Sequence, residues 1–194
     1  MTTFPSRNLN VDDYPSVKEH LLSFGKVRLE QSGIKGSRKK TNNKWFETQD
    51  SISYWEDFDR PKIIWNDISN SPKFHLCRNR YLLLNTAFFF VGKQILYLSG
   101  FLNSKICHWY FNRYGPEIGG NSRWLVYAVE KLPIISAKQG WRKKIEKFVF
   151  QILEIDQSSK NFQTSLNENL MKIDNVFYDM LQFNKNEIEF IGGF

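Results

Sequence analysis

The sequence predicts an α+β fold: a mixed-sheet body followed by a C-terminal helical hairpin or spacer. Three observations carry this reading. Short aromatic and β-branched runs, separated by turn residues, fill residues 45–100. Apolar residues recur at helical spacing before and after that block, over 12–30 and 95–111. From Trp141 onward the period is helical throughout. Strands and helices segregated along the chain are the mark of an α+β arrangement. The expected division is a body over 1–136 and a helical spacer or docking segment over 137–194.

The elements follow in order. Val17, Leu21, Leu22 and Phe24 share one face of a helical entry over 12–30, with Pro15 in its first turn. Residues 31–44, QSGIKGSRKKTNNK, hold five basic residues and no acid, which predicts a basic loop. KWFET and SISYWEDF are short aromatic segments. PKIIW, FHLC, YLLLN and TAFFFV read as strands, with NDISNSP and Arg78-Asn79-Arg80 as turns. Ile95, Leu98, Leu102, Ile106 and Trp109 lie on one helical face. RYGPEIGGNSR carries no regular element, and WLVYAVEKLPII is strand-like up to Pro133. Ile145, Val149 and Ile152 form one helical stripe. Leu166, Leu170, Ile173, Phe177 and Met180 form another, spaced 4-3-4-3 as in a helix that packs on a helix. Asn184 and Glu187 make a capping box for a last short helix.

A length of 194 residues suits one large domain or a domain with a helical appendage. The formal net charge of +7 makes nucleic acid, an acidic membrane surface or an acidic protein the natural partners. The two cysteines, Cys77 and Cys107, form no disulfide framework and fit a reducing cytoplasm. The opening residues lack the apolar core of a secretion signal. The apolar stretch 82–102 places Lys93 near its centre, so a strand, a turn and a helix are expected there rather than a membrane span.

Catalytic patterns are missing. No Asp/Glu-x-Lys tripeptide, Gly-x-Gly, Gly-Lys-Ser/Thr, Gly-x-Ser-x-Gly or Asn-Pro occurs in the chain. His75-x-Cys77 and Cys107-His108 are poor metal pairs, because adjacent helical residues point about 100° apart. Cys107 is expected to be a buried thiol, with Asn103 and Ser104 bonding backbone at a helix–sheet junction. The composition favours a binding module that is not itself an enzyme.

Four stretches appear in order: Trp45-Phe46-Glu47, Phe58-Asp59-Arg60-Pro61-Lys62-Ile63-Ile64, Leu102-Asn103-Ser104-Lys105-Ile106 and Leu132-Pro133-Ile134. Together they resemble the C-terminal specificity, or target recognition, domain of Type IIG restriction–modification enzymes and related N6-adenine DNA methyltransferases. YPSVKEHLLSFGKVRLE resembles the entry helix of that domain. KIDNVFYDMLQFNKNEIEFI resembles its closing helices, which also occur in Type I specificity subunits. The chain departs from the usual Leu-Pro-Ile-Pro in ending this motif with Ile135.

The resemblance implies sequence-specific recognition of double-stranded DNA by a bacterial, cytoplasmic protein with no membrane partner. It implies a C-terminal fragment or separately encoded remnant that works with the methyltransferase domain of the same enzyme. No cofactor is then expected in this chain: S-adenosylmethionine, and Mg for cleavage, belong to missing upstream domains. Duplex reading needs cations for phosphates and polar groups at base edges. Lys35, Arg38, Lys39, Lys40 and Lys44 are the expected phosphate contacts. Arg78, Arg80, Arg113, Asn121, Ser122 and Arg123 are the expected groove-facing set, with Gly119-Gly120 allowing close approach. Trp45, Trp55, Trp65 and Trp109 are expected in cores rather than as base-stacking platforms. The alternative is a protein-interaction module built on the heptad helix at 163–182. A third possibility is a cryptic enzyme.

Overall fold

The computed structural model describes residues 1–31, 35–84 and 86–193. Residues 32–34 of the expected basic loop, the Asn85 end of YLLLN and Phe194 lie outside the described residues. The chain forms two compact units, Met1–Asp57 and Phe58–Phe194.

The first unit is held more by polar ties than by apolar burial. Val11 and Phe46 are its buried apolar residues. The expected entry helix is two helices, α1 (Pro15–Leu22) and α2 (Lys26–Leu29), divided at Gly25, whose φ of 87° is readily adopted only by glycine. Ser6 Oγ donates to the carbonyls of Ser51 and Ile52, and Thr48 N–H donates to Thr3 O. Arg7 lies 5.0 Å over the Trp55 ring. KWFET and SISYWEDF form turns and a 3-10 segment at Trp55–Asp59, with no strand among the described residues of this unit.

The second unit is a three-stranded sheet with helices packed against it. Strand β1 (Lys62–Asn66) is central, β2 (His75–Cys77) and β3 (Ala87–Phe90) flank it, and a two-residue hairpin, β4 (Glu117–Ile118) and β5 (Asn121–Ser122), stands apart. The α+β class therefore stands. Every strand pair among the described residues is antiparallel, where a mixed sheet was expected. YLLLN is no strand over 81–84, and Tyr81, Leu82 and Leu84 are exposed. The cause is topological: β2 and β3 take opposite edges of β1, so the segment between them must cross the end of the sheet.

The apolar period over 95–111 is interrupted. Helix α3 (Ile95–Leu102) ends at Asn103, and Ser104 caps α4 (Lys105–Tyr114) by accepting from Cys107 N–H at 3.2 Å. WLVYAVEKLPII is also not a strand. Trp124 N–H donates to Asp67 O, and Trp124 O accepts from Trp65 Nε1. The chain then turns into α5 (Val126–Val129), where Leu125 O accepts from Ala128 and Val129.

The last third is helical as expected: α6 (Gln139–Leu153), α7 (Phe162–Leu181) and α8 (Lys185–Gly192). Helix α6 packs between α3 and α7. Ile145, Val149, Ile173 and Phe177 join Tyr97, Phe101, Phe111 and Trp124 in one apolar core. Trp124 stacks on Phe111 at 3.7 Å between ring centres. The heptad seam of α7 is thus used largely within the chain. Asn184 and Glu187 form the expected capping box.

Candidate nucleic-acid interface

The basic loop of the first unit is organised by one of its own cations. Arg38 donates from Nε to Leu29 O at 3.0 Å, from Nη2 to Trp45 O at 2.9 Å and Lys44 O at 3.3 Å, and from Nη1 to Glu47 O. A guanidinium carries five N–H donors, so these bonds occupy most of them. Arg38 is a clip that ties the loop to the end of α2 and to the 44–47 turn. Gln31 adds a second tie by accepting from Thr41 N–H at 2.7 Å. Lys35, Lys39 and Lys40 are exposed beside this clip and make no hydrogen bond or ion pair among the described residues. Lys44 Nζ reaches Leu9 O at 3.4 Å and lies 5.6 Å from the Phe46 ring centre.

Lys44 also lines a recess of about 410 Å³ with Lys18, Lys26, Asp12, Trp45 and Phe46. Lys18 and Lys26 are functional candidates missed in the sequence. They sit singly on α1 and α2, far along the chain from the basic run, and only folding brings them to Lys44. Each has a surface ion pair, Lys18 with Asp12 at 2.5 Å and Lys26 with Glu30 at 3.5 Å. Such pairs are weak and readily exchanged.

In the second unit the expected groove-facing residues occupy three places. Arg78 and Arg80 follow β2 on a turn anchored from inside by Lys62. That ammonium is fully buried and donates to Asn79 O at 2.7 Å, Phe58 O at 2.8 Å and Arg60 O at 3.3 Å. Arg80 Nε pairs with Asp59 at 2.5 Å on the outside of the same turn. Arg78 is 3.7 Å from Glu154 and lies 5.2 Å over the Phe150 ring.

Asn121, Ser122 and Arg123 form the second place. Positive φ angles at Gly119 (56°) and Gly120 (77°) allow the tight turn between β4 and β5. Ser69 N–H donates to Ser122 O at 3.2 Å, and Ile68 bridges Arg123. Arg123 holds Asp67 through two parallel bonds, from Nε at 3.1 Å and from Nη2. Those bonds use one edge of the guanidinium and leave Nη1 unengaged by Asp67. Ser122 Oγ donates to Asn112 Oδ1 at 2.8 Å. Asn112 Nδ2 lies 3.0 Å from His108 Nε2, which is 3.2 Å from Asn70 O. Burial pushes the His108 ring below its ordinary pKa, against the opposing pull of Asn70 O. Asp67, Asn70 and Asn112 were not singled out in the sequence, and His108 was weighed there only as a metal ligand. The turn-rich NDISN was the available signal for the first two.

Arg113 is apart from these residues. One position beyond Asn112 on α4, it lies 5.9 Å from the ring centres of both Trp109 and Phe190 of α8. Trp65 is buried, whereas Trp45, Trp55 and Trp109 are partly buried.

The stretch around Cys107 has a structural account. Asn103 Oδ1 accepts from Phe74 N–H at 3.0 Å and Nδ2 donates to Phe74 O at 2.8 Å, so it bonds backbone at a helix–sheet junction as expected. Ser104 Oγ donates to Phe101 O at 2.7 Å. Burial pushes the Cys107 thiol up to about 12, which leaves it protonated and unreactive near neutrality. Among the described residues, no three His, Cys, Asp or Glu side chains gather as a metal site, and no helix is long and apolar enough to cross a membrane.

Such features are those of a recognition module: a cationic loop on the first unit, and polar turns on the packed α+β scaffold of the second. A family model described as the TaqI-like C-terminal specificity domain matches residues 18–134, more than half of the chain. The chain belongs to this family, the C-terminal specificity domains of restriction–modification enzymes, whose task is DNA target recognition. A search of curated proteins finds no match.

Proposed function

We propose that this chain reads a specific sequence in double-stranded DNA for a bacterial adenine methyltransferase or restriction endonuclease. The active sites for methylation or cleavage lie on domains outside these 194 residues. The family membership and the cluster around Asp67, Asn112, Ser122 and Arg123 support this reading. The cluster joins partly exposed polar groups to a close-approach glycine turn, a suitable surface for base edges. The free ammonium groups of Lys35, Lys39 and Lys40 supply phosphate contacts, joined at the recess by Lys18, Lys26 and Lys44. Arg38 acts by holding the loop.

S-adenosylmethionine and Mg are assigned to the companion domains. The residues here do not fit either group: the chain lacks Asn-Pro and Gly-x-Gly, and no acidic or soft ligand cluster exists among the described residues. The spacer helices α6–α8 serve to dock or space the companion methyltransferase domain.

Electrostatic binding has a measurable slope. Replacing Lys35, Lys39 and Lys40 with alanine reduces the dependence of log Kd on log salt by about 2–3, because each phosphate contact contributes roughly 0.9. Titrations over a salt series check this. An unchanged slope removes these three lysines from the interface.

A further inference from the structure

The outer edge of β2 is covered by no further strand among the described residues and faces a cavity. The antiparallel register sets Lys62, Ile63 and Ile64 opposite Cys77, Leu76 and His75. In such a ladder the alternate residues, Phe74 and Leu76, aim their N–H and C=O groups away from β1. Phe74 already shows this, because both of its backbone groups are bonded by the Asn103 amide. That amide sits where the peptide group of a neighbouring strand belongs. One pleat further on, Leu76 lines a cavity of about 770 Å³. Its far wall is α6 and α7, where Leu153, Leu166 and Leu170 are only partly buried. Leu166, Leu170 and Met180 are the α7 seam residues left only partly buried, and the first two line this cavity.

Charge selects the occupant. Lys73, His75 and Arg78 line this groove, and no Asp or Glu does. Arg78 is partly offset by Glu154 at 3.7 Å. A second copy pairing through its own β2 would bring the same basic groups face to face. Duplex DNA matches the cations but not the leucine wall.

We propose that this groove binds an extended segment of a partner protein, added to β2 as a further strand. Its apolar side chains lie against Leu166 and Leu170, and its acidic residues face Lys73 and Arg78. The groove from Lys73 to Arg78 spans about 17 Å at ~3.3 Å per residue, room for roughly five or six residues, and the backbone pairing falls at Leu76 because Asn103 holds Phe74. Arg78 is the one residue this site shares with the expected groove-facing set, and the proposal stands whether or not that reading holds.

The test is selection of random peptides displayed on phage against the 194-residue chain, with the Leu170→Gln chain as counter-target. Fluorescence anisotropy of the enriched peptide follows. The expected peptides alternate apolar and acidic residues. A proline at the centre of such a peptide, which removes a backbone donor, weakens binding by about tenfold, the scale of one hydrogen bond. Leu170→Gln weakens it similarly, and Lys73→Glu shifts preference toward basic-flanked peptides. Circular dichroism checks that both variants are folded, and their affinity for duplex DNA is measured alongside. No enrichment over the Leu170→Gln chain, or enriched peptides that tolerate both proline and Lys73→Glu, overturns the proposal. Parallel loss of DNA binding with an intact peptide response bears on DNA reading alone.

Discussion

Lys62 shows how a single residue sets a surface it does not touch. Its buried ammonium holds three carbonyls beneath the Arg78–Arg80 turn. Lys62→Met removes the ammonium shared by these three carbonyls, and each lost hydrogen bond to a charged group costs about 1.5–3 kcal/mol. A loss of at least ~3 kcal/mol in urea unfolding is expected. Wild-type stability would contradict the anchoring role. Asp174 makes a different prediction. It accepts from Lys105 N–H at 2.8 Å at the start of α4, yet burial, partly countered by that bond and by Lys105, raises its pKa to about 6. The folded state therefore holds a proton that the unfolded chain releases near 4. The stabilising contribution of this protonation is complete below about pH 4 and lost as pH rises through 6. Asp174→Asn removes that dependence, so its stability relative to wild type improves by up to about 3 kcal/mol between pH 4 and 7.5. Parallel denaturation curves at the two pH values test the sign.

Helix contacts carry the next scale. A Cβ on Gly100 of α3 falls 2.5 Å from Ile145 Cγ2 and 3.2 Å from Val149 Cγ2 of α6. Gly100→Ala is therefore expected to destabilise the second unit by about 1–3 kcal/mol through overpacking, read as a lowered midpoint of thermal unfolding. Elements defined by local rules were legible in the sequence: the α6 and α7 stripes, the capping box before α8, and strands β1, β2 and β3. Elements decided by distant partners were not. WLVYAVEK has the composition of a strand, but Asp67 and Trp65 take the backbone groups of Trp124 and the helical turn of α5 begins. The apolar period of 95–111 passes through Asn103 and Ser104, whose side-chain bonds split it into α3 and α4. Arg38 looked like a free cation because its carbonyl partners lie 6 to 9 residues away along the chain.

At the scale of the whole molecule, the second unit is built on one aromatic-rich core and the first is held by polar ties. Cations of the first unit suit phosphates, and the β4–β5 turn of the second unit suits base edges. The family was legible because motifs such as FDRPKII and LNSK include the residues that build the scaffold: Lys62 anchors a turn, Asn103 bonds a strand edge and Ser104 caps a helix. The residues proposed to read DNA were less legible. Asn112 and Asp67 acquire their place beside Ser122 and Arg123 only through the fold. The most direct measurement is selection of duplexes from a random pool by the isolated 194-residue chain at moderate salt, read by sequencing. An enriched motif, weakened when Arg123 is replaced by alanine, is the predicted result. Binding that shows no sequence preference, or no binding even at low salt, would contradict autonomous target reading by this domain.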